Sequence, residues 1–222
     1  MKPRIVFVHG LASSYESTWA RYGWPELIED LGGEAVPFEL PGHGGSQIRP
    51  GDDAAAVDAL LDFAAENDAD TAVGFSAGSL LLLRAAARKP DAFARLVLTG
   101  VGDGMWNAGE GLRRIADAFE SCEPIEDPGL RMLAAMARSA GNDPKKISAF
   151  TRGVPRQPSP EALRAIEASV LIVLGDKDDV GPADVLLGNL PTARLASLPG
   201  TDHYKTPSDP RAFDAVSRFL SE

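Results

Sequence analysis

Short runs of β-branched and aromatic residues alternate along the chain with longer stretches whose apolar positions recur every three or four residues. The runs lie at 5–8, 34–38, 71–75, 95–99, 170–174 and 194–198, the last being the weakest. They do not alternate strictly between apolar and polar, which predicts strands covered on both faces, as in a parallel sheet. Between them, Val57, Leu60, Leu61 and Ala64 form one stripe of a helix that Asp52 or Asp53 caps. Residues 77 to about 89 are apolar almost all round, which predicts a helix packed centrally against a sheet and ended by Pro90. Near the C-terminus Asp209 is placed to cap a helix with Pro210 at its first position, and Phe213, Val216 and Leu220 share a face. Strand, helix and strand repeated in this way predict a three-layer α/β fold with right-handed crossovers, in one domain over residues 1–222.

The rhythm breaks between the fourth and fifth strands, where residues 103–168 contain no convincing strand. Leu112, Ile115, Ala116 and Phe119 mark one short amphipathic helix, and Leu130, Leu133, Ala134 and Ala137 another. Residues 153–160 read as a proline-rich loop, with Ser159 and Pro160 opening a third helix that reaches about Ala168. An insertion leaving and rejoining one edge of the sheet lies above the carboxyl ends of the strands, where open α/β sheets bind ligands. The plainer alternative is a set of crossover helices with no contact to any substrate.

Composition narrows the class. A chain of 222 residues, 44% hydrophobic and 24% charged, buries about 70% of its unfolded surface in one core and is neither disordered nor fibrous. With 22 Lys and Arg against 32 Asp and Glu the formal charge is −10, and no basic cluster offsets it, so nucleic acid is not an expected partner. A single cysteine, Cys122, excludes an intrachain disulfide and a thiolate zinc cage. Residues 5–9 between Arg4 and Gly10 are too few for the apolar segment of a signal peptide. The cluster at 80–83 stops at Arg84, far short of the ~20 residues of a membrane span. The expectation is a soluble, cytoplasmic protein without a membrane partner.

The strongest local signal is Gly74-Phe75-Ser76-Ala77-Gly78, with a β run before it and a helical run after. On a sharp strand-to-helix turn this G-x-S-x-G pattern presents a serine hydroxyl above the sheet, and the flanking positions stay small because a side chain there meets neighbouring backbone. A competing reading has Ser76 merely capping the helix that follows. A serine needs a base to become a nucleophile. Of the three histidines, His43 sits in a glycine-rich turn and His9 ends the first strand, which leaves His203, after the last strand, as the natural base. The imidazole needs an acid to fix its tautomer, and Asp176, Asp178 and Asp179 all follow the fifth strand; the residues alone do not separate them. Serine, aspartate and histidine then occur in the order associated with α/β hydrolases. Donors for an oxyanion are the backbone N–H of Ala77 and, from the loop leaving the first strand, that of Leu11, where Gly10 allows close approach.

Taken together, VFVHG at 6–10, ELPGHGGS at 39–46, GFSAGS at 74–79, LIVLGDKDDVGP at 171–182 and GTDHY at 200–204 resemble the landmarks of the α/β-hydrolase superfamily, in particular small bacterial members with a helical lid. The resemblance covers essentially everything except the insertion. It implies the three-layer α/β-hydrolase fold, a short helical lid at 103–168, and Asp178 as the acid, three positions beyond Gly175, with Asp179 the runner-up. Asp176 then falls where an orienting acidic residue is common, His43 looks structural and His9 looks like a loop organiser. The chain departs from the family in lacking an antiparallel hairpin before VFVHG, so about six strands are expected, all parallel, with the first placed centrally.

These readings combine into a serine hydrolase that cleaves a carboxylic ester, thioester or lactone through an acyl-enzyme, with Ser76 as nucleophile, His203 as base and Asp178 as its orienting acid. Such chemistry calls for no metal and no organic cofactor, only a small-molecule substrate with an acyl or related carbonyl group. Pocket candidates are Trp106, Phe119, Met132, Met136 and Phe150 in the insertion, and Tyr15 and Trp19 beyond the Leu11 loop. Arg113, Arg114, Arg138 and Arg152 are available cations, and one of them in the pocket points to a substrate bearing a carboxylate. Two other functions fit the same residues: carbon–carbon bond cleavage or a lyase step, and a fold retained for binding alone. The apolar surface of the insertion leaves a homo-oligomer open.

Overall fold

The computed structural model describes residues 2–121, 123–153 and 157–222, with the side chains of Trp106 and Asn107 outside the description. Strand β1 (Arg4–Val8) leads through a one-turn helix α1 (Tyr15–Thr18), a 3₁₀ turn (Ala20–Tyr22) and α2 (Trp24–Asp30) to β2 (Glu34–Phe38). Helix α3 (Asp53–Glu66), β3 (Thr71–Phe75), α4 (Ala77–Arg88) and β4 (Arg95–Thr99) follow. A 3₁₀ segment (Asp103–Asn107) opens the insertion, which continues through α5 (Gly109–Glu120), α6 (Pro128–Ser139), α7 (Pro144–Arg152) and α8 (Pro160–Arg164). Strand β5 (Ser169–Gly175), α9 (Asp184–Asn189), β6 (Arg194–Leu198), a 3₁₀ helix (His203–Ser208) and α10 (Pro210–Leu220) complete the chain.

The six strands are all parallel, in the order β2-β1-β3-β4-β5-β6. Strand β1 is interior but lies second from one edge rather than in the middle, because only β2 is laid down outside it. Side-chain alternation separates two cores. Val6, Val8, Ala72, Leu96, Leu98 and Ile172 face α3, α4, α8 and α9 through Leu60, Leu82, Leu163 and Leu186. Ile5, Phe7, Val73, Val97 and Val173 face the other way, onto Trp19, Trp24 and Ile28 and onto Val216 and Phe219 of α10. Both faces of the inner strands β1, β3, β4 and β5 are buried, the physical reason their runs read as continuous apolar stretches, whereas the edge strands β2 and β6 are partly exposed. Each such fully buried aliphatic or aromatic side chain is worth about 1.5–3 kcal/mol of transfer free energy.

The helix ends follow the capping chemistry. Asp52 accepts the Ala55 N–H at 3.1 Å, and Asp209 accepts the Arg211 N–H at 2.9 Å ahead of Pro210. Helix α4 stops at Arg88, since Lys89 before Pro90 is driven to extended angles (φ −134°, ψ 90°). Helix α8 is shorter than the expected run to Ala168: the Glu167 N–H donates to Pro90 O at 3.2 Å and the Ser169 N–H to Ala94 O at 2.9 Å, which draws the chain into β5. Helix α7 was not among the expected elements, and the Asp143-Pro144 pair is its signal, with Asp143 accepting the Lys145 N–H at 2.8 Å. Part of the proline-rich loop, 154–156, lies outside the described residues. Among the described residues no helix is long and apolar enough to cross a membrane.

Candidate active site

Ser76 sits on the turn between β3 and α4 at φ 53°, ψ −114°. A non-glycine residue pays about 1–3 kcal/mol for such angles, so the surroundings must hold it there. Its N–H donates to Thr99 O at 2.9 Å, Ser79 Oγ donates to the same carbonyl at 2.9 Å, and Thr99 Oγ1 donates to Gly74 O at 2.8 Å. A Cβ at Gly74 would lie 2.7 Å from Ser79 N, and one at Gly78 2.4 Å from Val8 O, so both positions exclude a side chain. The Ser76 side chain makes no capping bond to α4. Its Oγ instead lies 3.0 Å from His203 Nε2.

His203 opens the 3₁₀ helix after β6, and its Nδ1 lies 2.9 and 3.0 Å from the two carboxylate oxygens of Asp178. A carboxylate only accepts, so Nδ1 carries the hydrogen and the Nε2 lone pair faces the serine hydroxyl. The Asp178 side chain is fully shielded from solvent, and it also accepts the Val180 N–H at 3.0 Å. Asp179 is exposed. Asp176 accepts the Gly200 N–H at 2.6 Å and so ties the loop after β5 to the loop that carries His203. The same loop is braced by residues to which the sequence assigns no part in the site. Thr201 bonds Asp209, whose carboxyl is held well below the usual range by Arg211, and the Lys177 N–H donates to Thr201 O at 3.1 Å. Asp209 is legible in sequence only as a helix cap; its link to Thr201 depends on the fold. The His203 ring rests against Phe75, with centroids 4.9 Å apart, and Gly100, at φ 58°, has room for no Cβ beside either ring.

The Leu11 loop is fixed from the opposite side. His43 is fully buried and has its pKa pushed down to about 3, first by burial and then by the neighbouring His9. The neutral ring donates from Nδ1 to Pro41 O at 3.1 Å and accepts the Ala12 N–H on Nε2 at 2.9 Å. His9 bonds Gly10 O at 2.8 Å and Glu39 at 3.1 Å, and that bond holds the Glu39 carboxyl below its ordinary value. Asn142, between α6 and α7, links the insertion to this region: its Nδ2 donates to Ser13 O at 2.9 Å and its Oδ1 accepts the Gly44 N–H at 2.9 Å. Leu11 and Ala77 both border the cavity beside Ser76, and their N–H groups donate to no acceptor among the described residues.

That cavity measures about 730 Å³ and is roofed by the insertion. Leu80, Leu112, Ile115, Leu133, Met136 and Phe150 give it a mainly apolar wall, while Gln157, Ser159 and Tyr204 add polar atoms beside Ser76 and His203. No Asp, Glu, Lys or Arg lines it among the described residues. Of the expected pocket residues, Met136 and Phe150 line it. Trp19 does not, being fully buried between Phe7 and Trp24, and Tyr15 packs on the same core. Phe119 joins Leu133, Ala137 and Ile147 in the small core of the insertion itself, and Met132 points outward, 41% exposed. Trp106 lies outside the described side chains. The four arginines face elsewhere: Arg114 pairs with Asp127, Arg152 with Asp117 and Glu120, Arg138 borders a separate depression with Ala118 and Pro144, and Arg113 is exposed. No three His, Cys, Asp or Glu side chains converge as a metal site requires among the described residues.

A parallel sheet with helices on both faces and a sharp serine turn at the carboxyl end of its third strand define the α/β hydrolases. The chain belongs to the alpha/beta hydrolase family, whose model matches residues 5–217. It is 29% identical over 215 residues to a pimeloyl-[acyl-carrier protein] methyl ester esterase of Neisseria meningitidis serogroup B, a match covering 83% of this chain and 81% of that protein. An esterase of Mycobacterium tuberculosis is 33% identical over 105 residues, 45% of this chain and 33% of that protein. Among solved structures, a hydrolase from Pseudomonas aeruginosa PA01 superposes with a TM-score of 0.77 at 20% identity, over 100% of this chain and 91% of that one, a likeness of fold.

Proposed function

We propose that this protein is a serine hydrolase that cleaves a carboxylic ester, thioester or lactone through an acyl-enzyme, with the helices of 103–168 acting as its lid. One observation carries the reading: a single imidazole lies within hydrogen-bond distance of the Ser76 hydroxyl on one nitrogen and of a shielded carboxylate on the other. His203 Nε2 takes the serine proton as Oγ attacks the carbonyl carbon, and Asp178 stabilises the imidazolium formed. The N–H groups of Leu11 and Ala77 receive the oxyanion, each worth roughly 3 kcal/mol in the transition state. His203 then gives its proton to the leaving alkoxide or thiolate. Water adds to the acyl-enzyme by the same route, returning the acid product and the free serine.

The cavity wall supports a neutral group next to the reacting carbonyl, since no charged side chain lines it among the described residues. The two relatives named as esterases favour ester cleavage over carbon–carbon chemistry in the same site. The test is turnover of p-nitrophenyl acetate by the wild type and Ser76→Ala. The variant is expected to lose at least about 10⁴-fold in kcat. Undiminished turnover by the variant sinks the mechanism.

A further inference from the structure

A second depression, of about 360 Å³, adjoins the cavity and shares Phe75, Met136 and Tyr204 with it as a common wall. One side is the outward face of α6, where Met132, Ala135, Met136 and Ser139 stack at helical spacing. The other side is the segment after the Leu11 loop, with Ser13, Ser17, Thr18, Arg21 and Tyr22. Its chemistry differs from that of the main cavity. Ser13, Ser17, Thr18 and Ser139 contribute small hydroxyl side chains, and Arg21 is the one charged residue in the described lining. The guanidinium lies over the Tyr22 ring, 5.1 Å from its centroid, and pairs with no carboxylate among the described residues. In a chain of formal charge −10 an unpaired cation beside a cleft is a site of attraction for anions.

The distribution of exposed apolar side chains singles out the same place. Of the five large hydrophobic residues exposed among the described ones, Tyr22, Met132 and Tyr204 border this depression, and Val185 borders the main cavity. Exposed apolar surface gathered at one cleft marks a binding site rather than random scatter.

We infer that the substrate is an ester with two unlike arms, one apolar and seated in the main cavity, the other crossing the Phe75–Met136–Tyr204 wall to place an anionic group, carboxylate or phosphate, against Arg21. The inference rests on the serine hydrolase reading for the site of bond cleavage and adds the class of substrate. Arg21 contributes charge-assisted hydrogen bonds to the far end of the substrate and touches no reacting atom.

The test compares benzyl hydrogen adipate with benzyl heptanoate, and, with the charge on the alcohol side, the phenylacetate esters of hydroxyvaleric acid and of hexanol. Wild type, Arg21→Ala, Arg21→Glu and Ser76→Ala are assayed for kcat and KM on each. In at least one pair the wild type is expected to favour the anionic ester. Arg21→Ala then raises KM for it about tenfold with kcat held, and Arg21→Glu raises it further. The neutral esters are turned over unchanged by both Arg21 variants, which shows the variants folded. Equal use of charged and neutral esters by the wild type, or a ratio unmoved by Arg21→Glu, overturns the two-armed substrate while leaving the hydrolase intact. Wild-type turnover of no ester above Ser76→Ala removes the hydrolase reading, and the inference with it.

Discussion

The loops at the carboxyl ends of the strands and the insertion between β4 and β5 meet at one cavity, yet they are held in different ways. In the loops, backbone presses on backbone. A Cβ at Gly78 would lie 2.4 Å from Val8 O, and one at Gly175 2.0 Å from Thr201 O. Ser76, Ser79 and His203 are also fixed by hydrogen bonds of 2.9–3.0 Å to a neighbouring strand end or loop. Among the described residues, the insertion's own core cluster has only six buried residues, one of them Ala12 of the Leu11 loop, and much of its polar bonding is between exposed side chains such as Arg152 with Asp117 and Glu120. Solvated ion pairs contribute little and weaken with salt. The contrast teaches where geometry is demanded: proton transfer requires atoms placed to a few tenths of an ångström, whereas a wall need only exclude water and fit a shape.

The largest effect that separates the two regions comes from Asp178→Asn. The amide preserves shape but offers a donor where the imidazole needs an acceptor, so kcat for p-nitrophenyl acetate should fall about 10³–10⁴-fold with the fold retained. A drop of less than tenfold would mean that Asp178 does not orient His203. A smaller effect, on stability, comes from Gly78→Ala set against Arg152→Ala. The alanine methyl must displace Val8 and His9 backbone, a cost of about 1–3 kcal/mol and a fall in Tm of roughly 2–12 °C. Arg152→Ala removes only exposed contacts and should move Tm less than Gly78→Ala does, by a margin that thermal melts in low and high salt would measure. The reverse ranking would place the rigid part of the molecule in the insertion.

The same contrast governs what could be read from the sequence. The inner strands, buried on both faces, carry their own signature, while the half-exposed edge strand β6 falls at the weakest run; the Ser76 turn is legible because its demand for glycine on either side is local. The choice among Asp176, Asp178 and Asp179 is not local. The three lie within one turn, and only the path from β5 to β6 decides that Asp178 points inward to His203 while Asp176 reaches Gly200. Cavity walls are the least legible part of the sequence. Trp19 and Phe119 are large enough to fill a core, and packing claims them; the wall falls instead to Leu80, Leu112 and Leu133, which their helical spacing marks only as one apolar face among others. Asn142 and Thr99 gave no signal at all, because a single buried hydrogen bond across 129 residues, as from Asn142 to Ser13, leaves no pattern along the chain.

In the proposed mechanism His203 makes the Ser76 oxygen a nucleophile. The most direct measurement of that role is the rate and position of covalent labelling by a fluorophosphonate, followed by intact mass and peptide mapping in the wild type and in His203→Ala. One phosphonyl group per chain is expected, on Ser76, with a labelling rate that falls by at least about 10³-fold without the imidazole. Labelling at another residue, or at Ser76 with an unchanged rate in His203→Ala, would contradict the mechanism.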